Sequence, residues 1–109
     1  MTRGTNKRFQ ILVTNLADPP VPTDPDSCVV RLEKVGSYTY DSPTEWHTCT
    51  KVGGTGEWGA DIYLDPSWTL GDWIARFRWW IGGVEDGEEF QFTMKREDKP
   101  FDHSASVVV

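Results

Sequence analysis

Two histidines, two cysteines and a few clustered carboxylates are the side chains of this 109-residue sequence with the means to do chemistry. A hydrolytic triad needs a nucleophile, a base and an orienting acid brought together by the fold. The chain has no Gly-x-Ser-x-Gly turn to expose a serine, and its only possible bases are His47 and His103. His47 beside Trp46 reads as a strand residue and His103 as part of a tail. Glu85-Asp86 and Glu88-Glu89 could work as acid and base only across a cleft that pushes their pKa values apart. On a hairpin they read more simply as solvated charges that block edge pairing. Asp18, Asp24 and Asp26 crowd one loop and offer hard oxygen ligands suited to Ca²⁺, but the Gly and distal Glu of an EF-hand are missing. Each of these aspartates can equally start a turn. Cys28, Cys49, His47 and His103 hold the right atoms for zinc, without any of the compact spacings of zinc sites. No catalytic residue, cofactor or metal is expected.

The two cysteines have a second possible use. The first residues, Met-Thr-Arg-Gly-Thr-Asn-Lys, lack the apolar core of a secretory signal, so two reduced thiols are the expected state. Both fall within expected strands, and a bridge becomes geometrically possible if those strands are neighbours.

Charge narrows the choice of partner. The formal net charge of −6 opposes a nucleic-acid groove, because phosphate contacts need clustered Lys and Arg. Arg3, Lys7 and Arg8 are the nearest thing to such a cluster, and they read as a solvated arm. No apolar run approaches the length that crosses a bilayer.

Tryptophan is the remaining chemical resource, with six copies. Trp58, Trp73 and Trp79 fall on the inward face of their strands. Trp80 falls on the opposite face with Ile74, Arg76 and Arg78, a composition found at the centres of protein contacts. The plainer alternative has the two arginines stacking on Trp80 and shielding it. Trp46 and Trp68 lie in or beside loops, where aromatic platforms for sugars also occur.

These side chains need a frame, and apolar alternation supplies one. Gly56-Glu57-Trp58-Gly59-Ala60 is echoed by Gly71-Asp72-Trp73-Ile74-Ala75. Trp58, Ala60, Ile62 and Leu64 then recur at every second position, as do Trp73, Ala75, Phe77, Trp79 and Ile81, the period of half-buried strands. Gly82-Gly83 suits a tight reversal into a closing strand that carries Phe90, Phe92 and Met94 on one face. Earlier, Arg8–Thr14 and Cys28–Lys34 alternate in the same way, Tyr38-Thr39-Tyr40 is a short strand, and Trp46–Val52 is a further one. Between the first two strands, Asn15–Ser27 carries four prolines and must be an extended surface loop. No helix is expected. Three antiparallel strands with one apolar face need a second sheet to cover them. The expected fold is one all-β, immunoglobulin-like antiparallel sandwich of about seven strands over residues 8–96. Residues 1–7 and 97–109 are expected as arms.

The order of these elements resembles the small immunoglobulin-like proteins encoded among the head and tail genes of tailed bacteriophages. The resemblance rests on Phe9–Val13, on Asp24-Pro25-Asp26-Ser27 leading into Cys28–Leu32, and on Gly56-Glu57-Trp58. It continues through Gly71-Asp72-Trp73 with Arg76-Phe77-Arg78-Trp79, and ends on Phe90-Gln91-Phe92. Val35-Gly36-Ser37 stands where that family usually has Pro-Asp-Gly, and Val107–Val109 has no counterpart. The resemblance implies a non-enzymatic virion structural protein, assembled in the host cytoplasm. Its place would be a capsid decoration or a head-to-tail accessory, with capsid, neck or tail subunits or its own copies as partners and neither nucleic acid nor membrane. Ile74, Trp80, Val107, Val108 and Val109 are the expected partner contacts, the valines as an arm added to a neighbour's sheet edge. The alternative is a carbohydrate-binding or adhesion module that uses Trp46 and Trp68.

Overall fold

A computed structural model describes residues 1–36 and 45–96. Seven strands run in the order β1 (Asn6–Leu12), β2 (Ser27–Lys34), β3 (His47–Thr48), β4 (Thr50–Lys51), β5 (Glu57–Tyr63), β6 (Gly71–Ile81) and β7 (Val84–Met94). They form two antiparallel sheets, β1-β5-β4 and β3-β2-β6-β7. The chain is an all-β sandwich.

Alternation determines which side chains meet between the sheets. Cys28, Val30 and Leu32 of β2 and Trp73, Ala75, Phe77 and Trp79 of β6 point inward, against Phe9 and Ile62 of the other sheet and Val13 and Leu64 just past the ends of β1 and β5. Burying an aliphatic or phenylalanine side chain of this kind contributes about 1.5–3 kcal/mol, so this layer dominates the stability. No polar or charged residue is buried among the described residues.

The two echoed phrases open their strands in the same way. Gly56 and Gly71 both have positive φ, at 83° and 115°, and each delivers a tryptophan to the inner face two residues later. Gly56 is also sterically required. A Cβ there would come within 2.6 Å of the Val13 carbonyl oxygen.

The closing strand departs from expectation in its coverage. Phe90 and Phe92 do lie on the inward face, with Phe90 stacked on Phe77 at 5.8 Å and Phe92 against Phe9 at 5.3 Å. Yet Phe90 is 37% exposed and Phe92 and Trp58 are half-buried. β7 is the edge of a four-stranded sheet that faces a three-stranded one, so its inner face is only partly roofed.

Three further expectations change. The single strand expected over Trp46–Val52 is split at Cys49. β3 pairs with β2 and β4 pairs with β5, so the chain crosses between sheets there, and its mixed apolar pattern follows from that crossing. Residues 1–7 are joined to the body rather than free. Arg3 N–H donates to the Lys95 carbonyl at 3.0 Å, Lys95 N–H donates to Met1 at 2.6 Å, and β1 already begins at Asn6. Glu85, Asp86, Glu88 and Glu89 lie along β7, because the reversal is only Gly82-Gly83. The short strand expected at Tyr38–Tyr40 and the tail from Glu97 lie outside the described residues.

Candidate functional site

The carboxylates and His47 do not converge on one site among the described residues. Among the described residues there is no group of three metal-binding side chains. Asp24 and Asp26 share a loop but serve different neighbours. Asp24 accepts from the backbone N–H of Gly56 at 2.8 Å, from Trp58 Nε1 at 3.1 Å and from Lys51 Nζ at 3.0 Å. The Gly56 N–H above all, then the Trp58 indole and Lys51, pull the Asp24 carboxyl down to about 2. Asp26 instead accepts from Gly82 N–H at 2.8 Å and so ties the loop to the β6–β7 hairpin. His47 is half-buried on β3 opposite Val30, while His103 lies outside the described residues.

Cys28 and Cys49 do meet. Their positions continue the β2–β3 register, Cys49 N–H donates to the Cys28 carbonyl at 2.8 Å, and both thiols are free and buried. The contact with Cys28, together with burial, pushes the Cys49 thiol up, so this cysteine is a poor nucleophile.

The outer face of the four-stranded sheet carries an ionic lattice. Glu33 holds Arg31 at 2.7 Å and Arg76 at 3.0 Å; Arg76 also reaches Glu89 at 3.0 Å, and Arg78 reaches Glu85 at 3.4 Å. Burial pushes the Glu33 carboxyl up, but hydrogen bonds from Arg31 and Arg76 outweigh it and leave it below its usual value. The guanidiniums of Arg31 and Arg78 lie 4.6 and 4.8 Å from the centroid of the Trp46 ring. Trp46 is therefore engaged by two cations, and Arg78, expected near Trp80, serves it instead. Ile74 and Trp80 share this outer face and are half-buried. The other proposed platform residue, Trp68, stacks on Trp73 at 5.6 Å. The basic residues near the start are dispersed as well: Arg8 pairs across the strands with Asp61 at 2.9 Å, and Arg3 donates to the Trp68 carbonyl at 2.8 Å.

One end of the sandwich is apolar and open. The proline loop folds back on itself, with Asn15 Oδ1 accepting from the N–H groups of Ala17 and Val21, both at 3.0 Å. This closed loop leaves Leu16 75% exposed and Val21 49% exposed. Opposite it, the β6–β7 hairpin leaves Val84 53% exposed. Between them lies a cavity of about 200 Å³, walled by Asn15 and Leu16 on one side and by Trp79, Ile81 and Val84 on the other. Trp79 is buried and its indole Nε1 has no acceptor among the described residues. Alternation places Trp79 in the core and gives no hint of this free donor. The available signal was Leu16, a large apolar residue in a loop of Asn, Asp and Pro. Val107–Val109, expected as contacts, lie outside the described residues.

Comparisons with family models, curated proteins and solved structures return no match.

Proposed function

We propose that the chain is a non-enzymatic structural subunit that works through protein–protein contacts, and that its setting is the capsid surface or neck of a tailed-phage particle. The observation that carries the contact role is the open loop–hairpin end. Large apolar side chains grouped around a cavity are costly to leave in water and mark an interaction surface. The strand orders support the immunoglobulin-like form of the sandwich, since β3-β2-β6-β7 against β1-β5-β4 follows the pairing of that fold without its first strand. The phage setting rests on the sequence resemblance. Fold alone does not determine function, so the contact surface has to be tested directly.

The dispersed carboxylates and the separate placement of His47 favour contact over catalysis. The sugar-binding alternative must free Trp46 from Arg31 and Arg78, and Trp68 from Trp73, before either ring can serve as a platform.

The test is a paired charge substitution, Leu16→Asp with Val84→Asp. Both side chains are exposed, so melting should stay close to wild type while incorporation into particles falls at least tenfold. Unchanged incorporation, together with glycan retention that depends on Trp46 or Trp68, overturns the reading.

A further inference from the structure

The register of β2 and β3 brings Cys28 and Cys49 face to face. Val30 pairs with His47 and Val29 with Thr48, so the next step along the ladder sets Cys28 opposite Cys49. The bond from Cys49 N–H to the Cys28 carbonyl, at 2.8 Å, is that step. Directly opposite residues of an antiparallel pair stand about 4.5–5.5 Å apart at Cα. A disulfide spans about 4.4–6.8 Å, so the two lie within bonding reach. Both side chains point into the core, at 1% and 2% exposure, and their thiols share a hydrogen bond.

The sharing is unequal. The hydrogen bond with Cys49 lowers the Cys28 thiol below its usual value, whereas the same contact, with burial, raises Cys49. Cys28 is therefore the sulfur that attacks, and Cys49 keeps its proton until a bond to it can form. Burial slows any reagent, but the cover is slight. β3 is only two residues long and lies at the edge of its sheet, so it can open locally while β2 and β6 stay paired.

Position gives the pair its consequence. The chain passes from one sheet to the other at Cys49, since β3 pairs with β2 and β4 with β5. A bond from Cys49 to Cys28 would fix this crossing to β2. It would also close the stretch between them into a loop, which removes freedom mainly from the unfolded chain and so stabilises the fold.

We propose that Cys28 and Cys49 are an oxidation site, a thiol pair that a hydroperoxide converts into an intramolecular disulfide stapling β2 to the crossing between the sheets. Cys28 first loses its proton to solvent, and its thiolate attacks one peroxide oxygen. The O–O bond breaks, hydroxide leaves, and Cys28 carries a sulfenic acid. The Cys49 sulfur then attacks the Cys28 sulfur; the S–O bond breaks, and the Cys49 proton leaves with the hydroxyl as water. In all, the pair gives up two electrons and two protons, and hydrogen peroxide becomes two waters. The proposal stands apart from the contact role above.

The experiment adds hydrogen peroxide to the fully reduced full chain and then counts thiols in denaturant. The count should fall from two to none, and the intact mass should drop by two hydrogens. Proteolysis should release a Cys28–Cys49 crosslinked peptide. The melting temperature should rise by roughly 10 °C or more, and dithiothreitol should undo every change. Cys49→Ser should stop at the sulfenic acid on Cys28, captured by dimedone, with no rise in melting. Trp46→Ala should speed the oxidation severalfold, because Trp46 precedes β3 and is held by Arg31 and Arg78. Two thiols surviving prolonged exposure in both wild type and Trp46→Ala overturn the proposal. So does a bridge formed between two chains, or a bridged chain that melts no higher than the reduced one.

Discussion

The carboxylate of Asp24 accepts the backbone N–H of Gly56 at 2.8 Å, and this bond, with that from Trp58 Nε1 at 3.1 Å, joins the proline loop to the start of β5. Val13 is the third member of the junction. Its N–H donates to Gly56 at 2.7 Å and its carbonyl accepts from Thr23 at 2.9 Å. The loop that carries Leu16 and Val21 is therefore held by a fixed point of the sandwich.

Acid should weaken this junction. The folded-state pKa of Asp24 is depressed to about 2 from 3.8. Its contribution is thus complete above the unfolded value and is lost as pH falls through the folded one. Asp24→Asn should melt at a lower temperature than wild type at neutral pH. The gap should narrow between pH 4 and pH 2, and thermal melts across that range check it.

Gly56→Ala and Gly36→Ala separate backbone strain from crowding. Both glycines have positive φ, but a Cβ at Gly36 meets nothing within 4 Å while one at Gly56 meets the Val13 carbonyl oxygen at 2.6 Å. Gly36→Ala should cost about 1–2 kcal/mol from conformation alone. Gly56→Ala should cost clearly more, read from urea denaturation midpoints.

Truncating the two stacked phenylalanines should give unequal losses. Phe77 is 1% exposed and Phe90 is 37% exposed. Phe77→Ala should cost about 3–5 kcal/mol and Phe90→Ala less than half as much. Equal losses in denaturant melts would mean that β7 is covered as fully as β6.

Period-two alternation makes the strands legible. The inward face of Trp73 through Ile81 is plain from its spacing alone, and Gly82-Gly83 marks its own turn. What stays hidden depends on distant partners. Nothing local indicates that the facing sheet is one strand narrower, so Phe90 reads as core. Cys49 looks like one position in an ordinary strand because a crossing between sheets breaks the alternation without leaving a mark of its own. Trp46 reads as an open platform because Arg31 and Arg78 reach it from β2 and β6. Asp24 reads as a turn former, while its true partner lies 32 residues along the chain.

The cysteine pair gives a chemical prediction. Native protein should react slowly with a thiol reagent, because both thiols are buried and Cys49 is raised above the ordinary range. In denaturant without reductant, two equivalents should react. None reacting would reveal a bridge between Cys28 and Cys49.

Whether this chain is a contact-making particle subunit is tested most directly by a density map of purified tailed-phage particles from the genome that encodes it, with their protein content measured by mass spectrometry. The account predicts the sandwich at a fixed copy number on the capsid surface or neck, with Leu16, Val21 and Val84 in an interface. Particles that lack the protein, or a sandwich whose loop–hairpin end faces open solvent, would contradict it.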